Sequence, residues 1–482
     1  MSIYLLYDER MELHLDPNTK NAQMQPERPE RTAVVYNALI SLSTSRCLSA
    51  DAFIPIECQP ATEEQILRVH SSRYLKRLRE TSEMSSQELM LLPTIDFTTH
   101  KLQVDNDLYF SNDTYSASML AAGGVIACTN AVLEEGSVKR AIAVVRPPGH
   151  HCLCEKAMGF CFLNHVVIAA REALTKVQKV VIIDWDVHHG NGTQDLTYED
   201  ERITYISIHR YTGSKRKHEF FPGTGAPNEI GGNDNIKARG TNVNIAWRQK
   251  NAGGVEYAAS FCELILPMLA EIQPGLILVS CGLDAAKGDL LGDCCLLPKD
   301  YYLLTKSILH TVDAPMVQVL EGGYNLDVIG GCMQGVALAL LNDTYEISNH
   351  IETTNVKDSE HIYETTSESS EPIPVPQDLP LPTNLSEEDL EQDVPSLDHG
   401  RLVLKSLWNQ TSNNPNRRGF MEKSYVDDLN RSIRAIRNTH RWKDRIILPD
   451  VPLQYTKKTM GTRGRGMGDQ TSLDEALAAL KL

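Results

Sequence analysis

Between Lys179 and Gln194 the chain reads KVVIIDWDVHHGNGTQ. Asp184, Asp186 and His188 stand at i, i+2 and i+4, positions that share one face of an extended backbone. Two carboxylates and an imidazole on one side are expensive to bury unless a cation joins them. Zinc accepts both ligand types, and its catalytic sites keep positions open for water and substrate. Asp284 offers a further carboxylate, so Asp186, His188 and Asp284 form the candidate metal set. With one nitrogen and no thiolate, such a site would also take Fe(II) or Co(II) in vitro. Cys152 and Cys154 lie near the other candidates in sequence. A CxC pair alone is a weak metal signal, and both read as free thiols.

A second cluster suits proton transfer. His150 and His151 are adjacent, and an imidazole beside an activated water can take its proton and later give it to a leaving amine. Each ring needs an acceptor for its second nitrogen, and Asp184 and Asn191 are the candidates. A carboxylate would hold one imidazole charged, while an amide leaves the other free to titrate. Tyr324, after two glycines, could swing its hydroxyl toward a developing oxyanion. Asp107 reads either as a helix cap or as a ligand-facing carboxylate.

The elements that must position these groups are legible as apolar runs. Residues 180–183, all β-branched, suit a parallel strand buried on both faces. Further strands are predicted at 3–7, 141–145, 203–209, 241–247, 275–281 and 316–320. Helices are predicted at 34–42, 61–78, 105–132, 164–174, 254–272 and 300–312. This alternation implies an α/β fold with a mostly parallel sheet covered on both faces. Open sheets of that kind bind ligands outside the carboxyl ends of their strands. The histidine pair, the Asp184–His188 cluster, Asp284 and Tyr324 each follow a different strand, so they converge on one site.

With 482 residues, 41% of them hydrophobic, the chain can hold one large α/β domain plus extras. A net charge of −16 argues against a dedicated nucleic-acid binder, and no direct sequence-specific DNA binding is expected. The 11 cysteines and an opening MSIYLLYDERMELH without a secretory leader predict a reduced compartment, the nucleus and/or the cytoplasm. No apolar stretch is expected to be long enough to cross a membrane. Residues 1–342 read as the catalytic domain. Residues 343–400 are acidic and rich in Ser, Thr and Pro, as in EPIPVPQDLPLP, and read as a disordered linker. Residues 401–482 form a basic tail in which Val426, Leu429, Ile433 and Ile436 recur at helical spacing, and Ser472 opens a capping box before a last short helix. The tail would dock on the catalytic domain, meet a corepressor or other protein partner, bind acidic surfaces, or stay solvated.

Six segments, RPPGHH (146–151), GFCFLN (159–164), DWDVHHGNGT (184–193), FFPGTGAP (220–227), CGLDAAKGD (281–289) and LEGGYN (320–325), resemble the zinc-dependent histone deacetylase family, class II. They lie in the family's order, and the resemblance covers roughly residues 3 to 342. The resemblance implies an arginase/deacetylase-like three-layer fold and removal of acetyl groups from protein lysines. It makes Asp186, His188 and Asp284 the ligands of one zinc ion. It makes His151 the general base and then acid, with Asn191 beside it, and His150 an electrostatic partner held by Asp184. It makes Tyr324 the carbonyl-polarising hydroxyl. Gly159, Phe160 and Phe221 would line a tunnel around the lysine methylenes, with Asp107 (or Asp105) at the rim and Arg31 near the acetate exit. The family also binds K+ near Asp184, with Ser207 a contributor.

Asn191 stands where class I members carry Asp, and Tyr324 where class IIa members carry His, so the chain is class IIb-like. Leu291 occupies the place of a gatekeeping Glu in polyamine-specific members, which favours an acetylated protein as substrate: histone tails, with a role in chromatin and transcription, or a cytoplasmic protein such as tubulin. Gln25 departs from the His of many class II members. A basic triplet, Lys215, Arg216 and Lys217, is expected at the tunnel rim as a reader of acidic flanks or as plain solvated loop. Two rivals remain. An arginase-like amidinohydrolase would need two bridged metals, yet Ala285, Ala286 and Lys287 follow Asp284. A non-catalytic acetyl-lysine reader would not need the intact catalytic set.

Overall fold

Eight apolar runs pair side by side in a computed structural model that describes residues 1–18, 24–46, 48–92, 108–136, 138–213, 219–343, 395–410, 423–437, 439 and 441–442. The strands are β1 (Ile3–Tyr7), β2 (Phe53–Pro55), β3 (Arg140–Val144), β4 (Val180–Asp184), β5 (Ile203–Arg210), β6 (Asn242–Trp247), β7 (Leu276–Cys281) and β8 (Met316–Leu320). They form one sheet in the order β2-β1-β3-β8-β7-β4-β5-β6, and every pair is parallel. Strand side chains alternate between faces, and β4 shows the consequence. Val181 and Ile183 enter one core, and Val180 and Ile182 enter the other. In β4 both faces are filled by these apolar side chains, and the first ionisable residue, Asp184, stands at its end.

Helices fill the crossovers on both faces and make the three layers. Before β3 come α1 (Glu30–Ser45), α2 (Glu63–Leu67), α3 (Ser72–Glu80), α4 (Ser86–Leu91) and α5 (Thr114–Leu133). Then follow α6 (His165–Ala173), α7 (Asn191–Thr197), α8 (Gly254–Ser260), α9 (Leu266–Ile272), α10 (Pro298–Leu309) and α11 (Leu326–Leu340). A π-helical stretch, Phe261–Ile265, joins α8 to α9. Beyond residue 394 lie α12 (Leu397–Gln410) and α13 (Lys423–Arg437).

Four expectations change. The helix expected over 61–78 is two helices, because the Ser71 hydroxyl caps α3 at Tyr74 N–H and His70 turns inward to another loop. The helix expected from 105 begins at Thr114. This helix, α5, spans 20 residues and is apolar enough by length and composition to cross a membrane, against the sequence reading; most of it is buried inside the fold as a core helix. The boundary at residue 401 does not separate two packed units. Residues 397–400, assigned to the linker, open α12. Val403, Leu404, Tyr425, Val426, Leu429, Ile433, Ile436 and Trp442 join the core that holds Val181 and Ile183.

The tail helices are held by specific bonds as well. Asp428, fully buried, accepts from Arg248 Nε at 2.7 Å and from its backbone N–H at 2.9 Å, and pairs with Arg431. Trp442 Nε1 donates to Gly240 O at 2.7 Å, and the Tyr425 ring meets Trp247 edge-on at 5.7 Å. Asp105, Asp107, the Lys215–Lys217 triplet, linker residues 344–394 and the capping box at Ser472 lie outside the described residues.

Candidate active site

Sheet order explains why the expected residues meet. β3, β8, β7 and β4 are consecutive neighbours, and the four candidate groups follow those four strands. Asp186, His188 and Asp284 are buried, with ligand atoms within 4.8 Å of one another. His188 Nδ1 lies 3.2 Å from Asp186 Oδ1 and 3.0 Å from Asp284 Oδ2. Backbone donors aim both carboxylates: Gly322 N–H bonds Asp186 Oδ2 at 2.9 Å, and Val187 N–H bonds Asp284 Oδ1 at 2.8 Å.

The donor set fits a divalent cation. Burial, and then the neighbouring Asp186, push the Asp284 carboxyl up to about 7, which is the mark of two carboxylates crowded without enough positive charge. The space around them is also kept open. A Cβ on Gly282 would sit 2.1 Å from Asp186 Oδ2, and one on Gly322 would sit 2.4 Å from Asp284 Oδ2. His150, Cys161 and Glu321 form a second close group. Their atoms are already used: Glu321 accepts from Gly149 and His150 N–H and from Ser280 Oγ, and burial pushes the Cys161 thiol up.

The two histidines are held differently. His150 Nδ1 faces Asp184 Oδ2 at 3.1 Å. Burial opposes its charge, but Asp186 and then Asp184 outweigh it and raise the imidazole to about 10. His151 Nδ1 faces the Asn191 side-chain oxygen at 2.8 Å, so Nδ1 carries the proton and Nε2 keeps a lone pair. Burial, then His150 and His188, hold His151 well below its ordinary value. The rings lie 4.0 Å apart, one charged and one neutral near pH 7.

Tyr324 lies under the Arg31 guanidinium, 5.0 Å from the ring centroid, and burial keeps its hydroxyl protonated. Among the described residues nothing hydrogen-bonds that hydroxyl. Arg31 is itself buried, bonded to the Gly323 and Glu321 carbonyls and to Glu27. Glu27 also pairs with the buried Arg146. Phe160 and Phe221 are half-buried; Phe160 meets the Tyr324 ring at 5.7 Å, and Phe221 meets His151 at 5.0 Å. Gly159 takes φ +53, and a Cβ there would lie 2.5 Å from the His151 ring, so only glycine fits between ring and wall. Leu291 is half-buried, its N–H bonded to Asp289 Oδ1 at 2.8 Å. Gln25 bonds Asp16 rather than the site. Ser207 pairs with Asp184 in the sheet register, and its hydroxyl bonds His209 at 2.8 Å.

Four contributors escaped the sequence reading. Asp289 joins Leu291 to the backbone N–H of Tyr324, at 2.7 Å. Glu321 holds the Gly149–His150 backbone. Glu27 sits between two arginines. His70 donates from Nδ1 to Leu153 and Cys154 carbonyls and accepts Asn164 N–H at 3.0 Å, pinning both ends of the loop behind the histidine pair. Asp289 and Glu321 lie inside quoted motifs; nothing local marks Glu27 or His70.

A parallel sheet with a carboxylate–imidazole cluster and an asymmetric histidine pair at its carboxyl edge defines a metal-centred α/β class. Residues 25–340 match the histone deacetylase domain. The chain belongs to that family. It is 36% identical to histone deacetylase HDA1 of Candida albicans over 358 residues, 71% of this chain and 41% of that protein. It is 37% identical to histone deacetylase clr3 of Schizosaccharomyces pombe over 345 residues, 70% of this chain and 48% of that protein. The chain thus spans under half the length of these relatives. A crystal structure of the HDA15 HD domain superposes with a TM-score of 0.62 at 34% identity, covering 71% of this chain and 90% of that one.

Proposed function

We propose that this chain is a zinc-dependent protein-lysine deacetylase that acts in the nucleus and/or cytoplasm on histone tails or another acetylated protein. The observation that carries the reading is the asymmetry of the histidine pair beside Asp186, His188 and Asp284. Asp186 and then Asp184 hold His150 charged against its burial, while burial and the imidazoles of His150 and His188 leave His151 a neutral base with Nδ1 on the Asn191 oxygen. Asp186, His188 and Asp284 would hold the ion, which supplies Lewis-acid polarisation of the acyl oxygen and of the attacking water. A K+ ion near Asp184 and Ser207 would support the same strand end.

The reaction adds water to the acetyl carbon and breaks its bond to the lysine nitrogen. His151 Nε2 takes a proton from the water and returns it to the departing amine. His150 stays protonated, and with the Tyr324 hydroxyl it offsets the charge that grows on the acyl oxygen. Phe160 and Phe221 hold the apolar methylenes and exclude water. Asp289 fixes the backbone of Tyr324 and of the rim at Leu291. Arg31, behind Tyr324, offers a cation toward released acetate.

The test is acetate release from an acetyl-lysine histone peptide. Release should stop when the metal is stripped and return with zinc. Tyr324→Phe should lower kcat by ~10²–10³-fold, the scale of one lost oxyanion donor. A Phe variant within twofold of wild type would remove Tyr324 from the mechanism.

A further inference from the structure

His150 and His151 each turn Nδ1 to one side-chain oxygen, of Asp184 and of Asn191, and Nδ1 of His188 faces two, of Asp186 and Asp284. A metal-bound histidine usually fixes its ring plane by donating its other N–H to a carboxylate or carbonyl. Among the described residues nothing bonds Nε2 of His188. Its ring instead lies flat on Phe220, with centroids 5.0 Å apart and planes 3° from parallel. Phe220 is in turn anchored: its N–H donates to Thr212 Oγ1 at 2.8 Å, and the Arg210 guanidinium carbon stands 4.0 Å from its ring centroid.

Arg210 is placed as though for that contact. It ends β5 and is only 5% exposed. Its backbone N–H donates to Val187 O at 2.9 Å, between the two ligands of the β4 end. One nitrogen, Nη1, reaches Gly292 O and Asp293 Oδ2, both at 3.1 Å, while Nε is buried and has no hydrogen-bond partner among the described residues. A guanidinium that leaves a buried N–H unsatisfied gives up free energy, and its contact with the ring returns part of it.

We propose that Arg210 is a positioning residue for the metal-ligand imidazole of His188, acting through Phe220. The proposal rests on the reading that Asp186, His188 and Asp284 hold the ion. The cation draws on the π-face of Phe220 and stiffens it, and the stiff ring holds the imidazole plane that a hydrogen bond to Nε2 would otherwise hold.

The test uses the full chain loaded with zinc, and in parallel with Co(II). Three quantities are read: the rate of zinc loss to an excess chromogenic chelator, the Co(II) absorption spectrum, and the melting temperature of the metal-free protein. Arg210→Met and Phe220→Leu should each release zinc about 10–100-fold faster, the usual cost of removing a ligand's orienting partner, and should alter the Co(II) spectrum alike. Arg210→Lys should fall between them and wild type, because an ammonium cannot lie flat on the ring. Asp293→Ala, which keeps the stack and loosens the 292–293 loop, should change release little. Wild-type release and spectrum in Phe220→Leu would overturn the proposal. So would an Asp293→Ala variant that reproduces Arg210→Met while Phe220→Leu does not, since Arg210 would then only anchor the loop. Should Arg210→Met lower the metal-free melting temperature sharply, Phe220→Leu alone decides. Asp186→Ala and Asp284→Ala separate the two levels: if either binds zinc like wild type, the ligand set is wrong, whatever Arg210 does.

Discussion

Asn191→Asp is the sharpest perturbation of the histidine pair, because it changes one charge and almost no volume. The Asn191 oxygen lies 2.8 Å from His151 Nδ1, so a carboxylate there would accept the same hydrogen bond. Two unit charges ~4 Å apart at an effective dielectric of ~20 attract by ~4 kcal/mol. Asn191 is half-buried, so water screens part of this, and about 1.5–3 kcal/mol should remain to favour the protonated ring. At about 1.4 kcal/mol per tenfold in proton affinity, the acid limb of the rate profile should move up by about 1–2 pH units. The direction follows from the role. A base must start unprotonated, so raising its affinity for protons removes activity at low pH and leaves the alkaline plateau. His150, beside Asp184, shows what a carboxylate at similar distance accompanies: an imidazole raised to about 10, chiefly by Asp186 and Asp184 against the cost of burial. The assay is kcat/KM on an acetyl-lysine peptide from pH 5 to 9, with zinc content checked at each end. Superimposable acid limbs for the variant and wild type would refute the assignment of His151 as the group that must be neutral.

Glu27→Gln should destabilise the fold by about 3–5 kcal/mol at pH 7 in guanidinium titrations, because it leaves the buried Arg31 and Arg146 without a counter-charge. Burial raises the Glu27 carboxyl, but Arg146 and then Arg31 outweigh it and hold it at about 2 against an ordinary 4.5, so its contribution is complete above about 4.5 and fades as pH falls toward 2. The gap between variant and wild type should therefore narrow over that interval; a gap that widens would contradict the pairing. Asp428→Ala should cost about 1–3 kcal/mol and speed proteolytic release of the tail, the lower half of the range applying if Arg248, whose side chain is 40% exposed, regains water. An unchanged unfolding midpoint would mean that the tail contributes nothing to the stability of the sheet.

The gathering of the site was legible because β4 is apolar on both faces until Asp184 at its end. The change from VVII to DWDVHH is therefore abrupt, and four strands repeat it. Only the sheet order, β3-β8-β7-β4, was needed to turn four strand ends into one pocket. His70 was not legible because its partners, Leu153 and Asn164, lie far along the chain, and the pairing of Glu27 with nearby Arg31 gives no sign of its second partner, Arg146. The break between α2 and α3 had a local signal, the Ser71 cap, but apolar spacing continues across it and hides the turn. The spacing of Val426, Leu429, Ile433 and Ile436 announced an apolar face in the tail. Nothing in a periodicity names the surface such a face will cover, and the packing against β6 came from the fold alone.

That packing sets an order of events at the ribosome. β6 is one of the two edge strands, β2 being the other, and unpaired strand edges recruit other chains. Its cover, anchored through Asp428 to Arg248, is made 180 residues later. At ~5–20 residues per second, the nascent sheet waits roughly 10–40 s with that flank bare. Yield in a cell is then governed by what shields the edge in the interval, and a fragment cut at residue 340, where the family match stops, would never leave that interval.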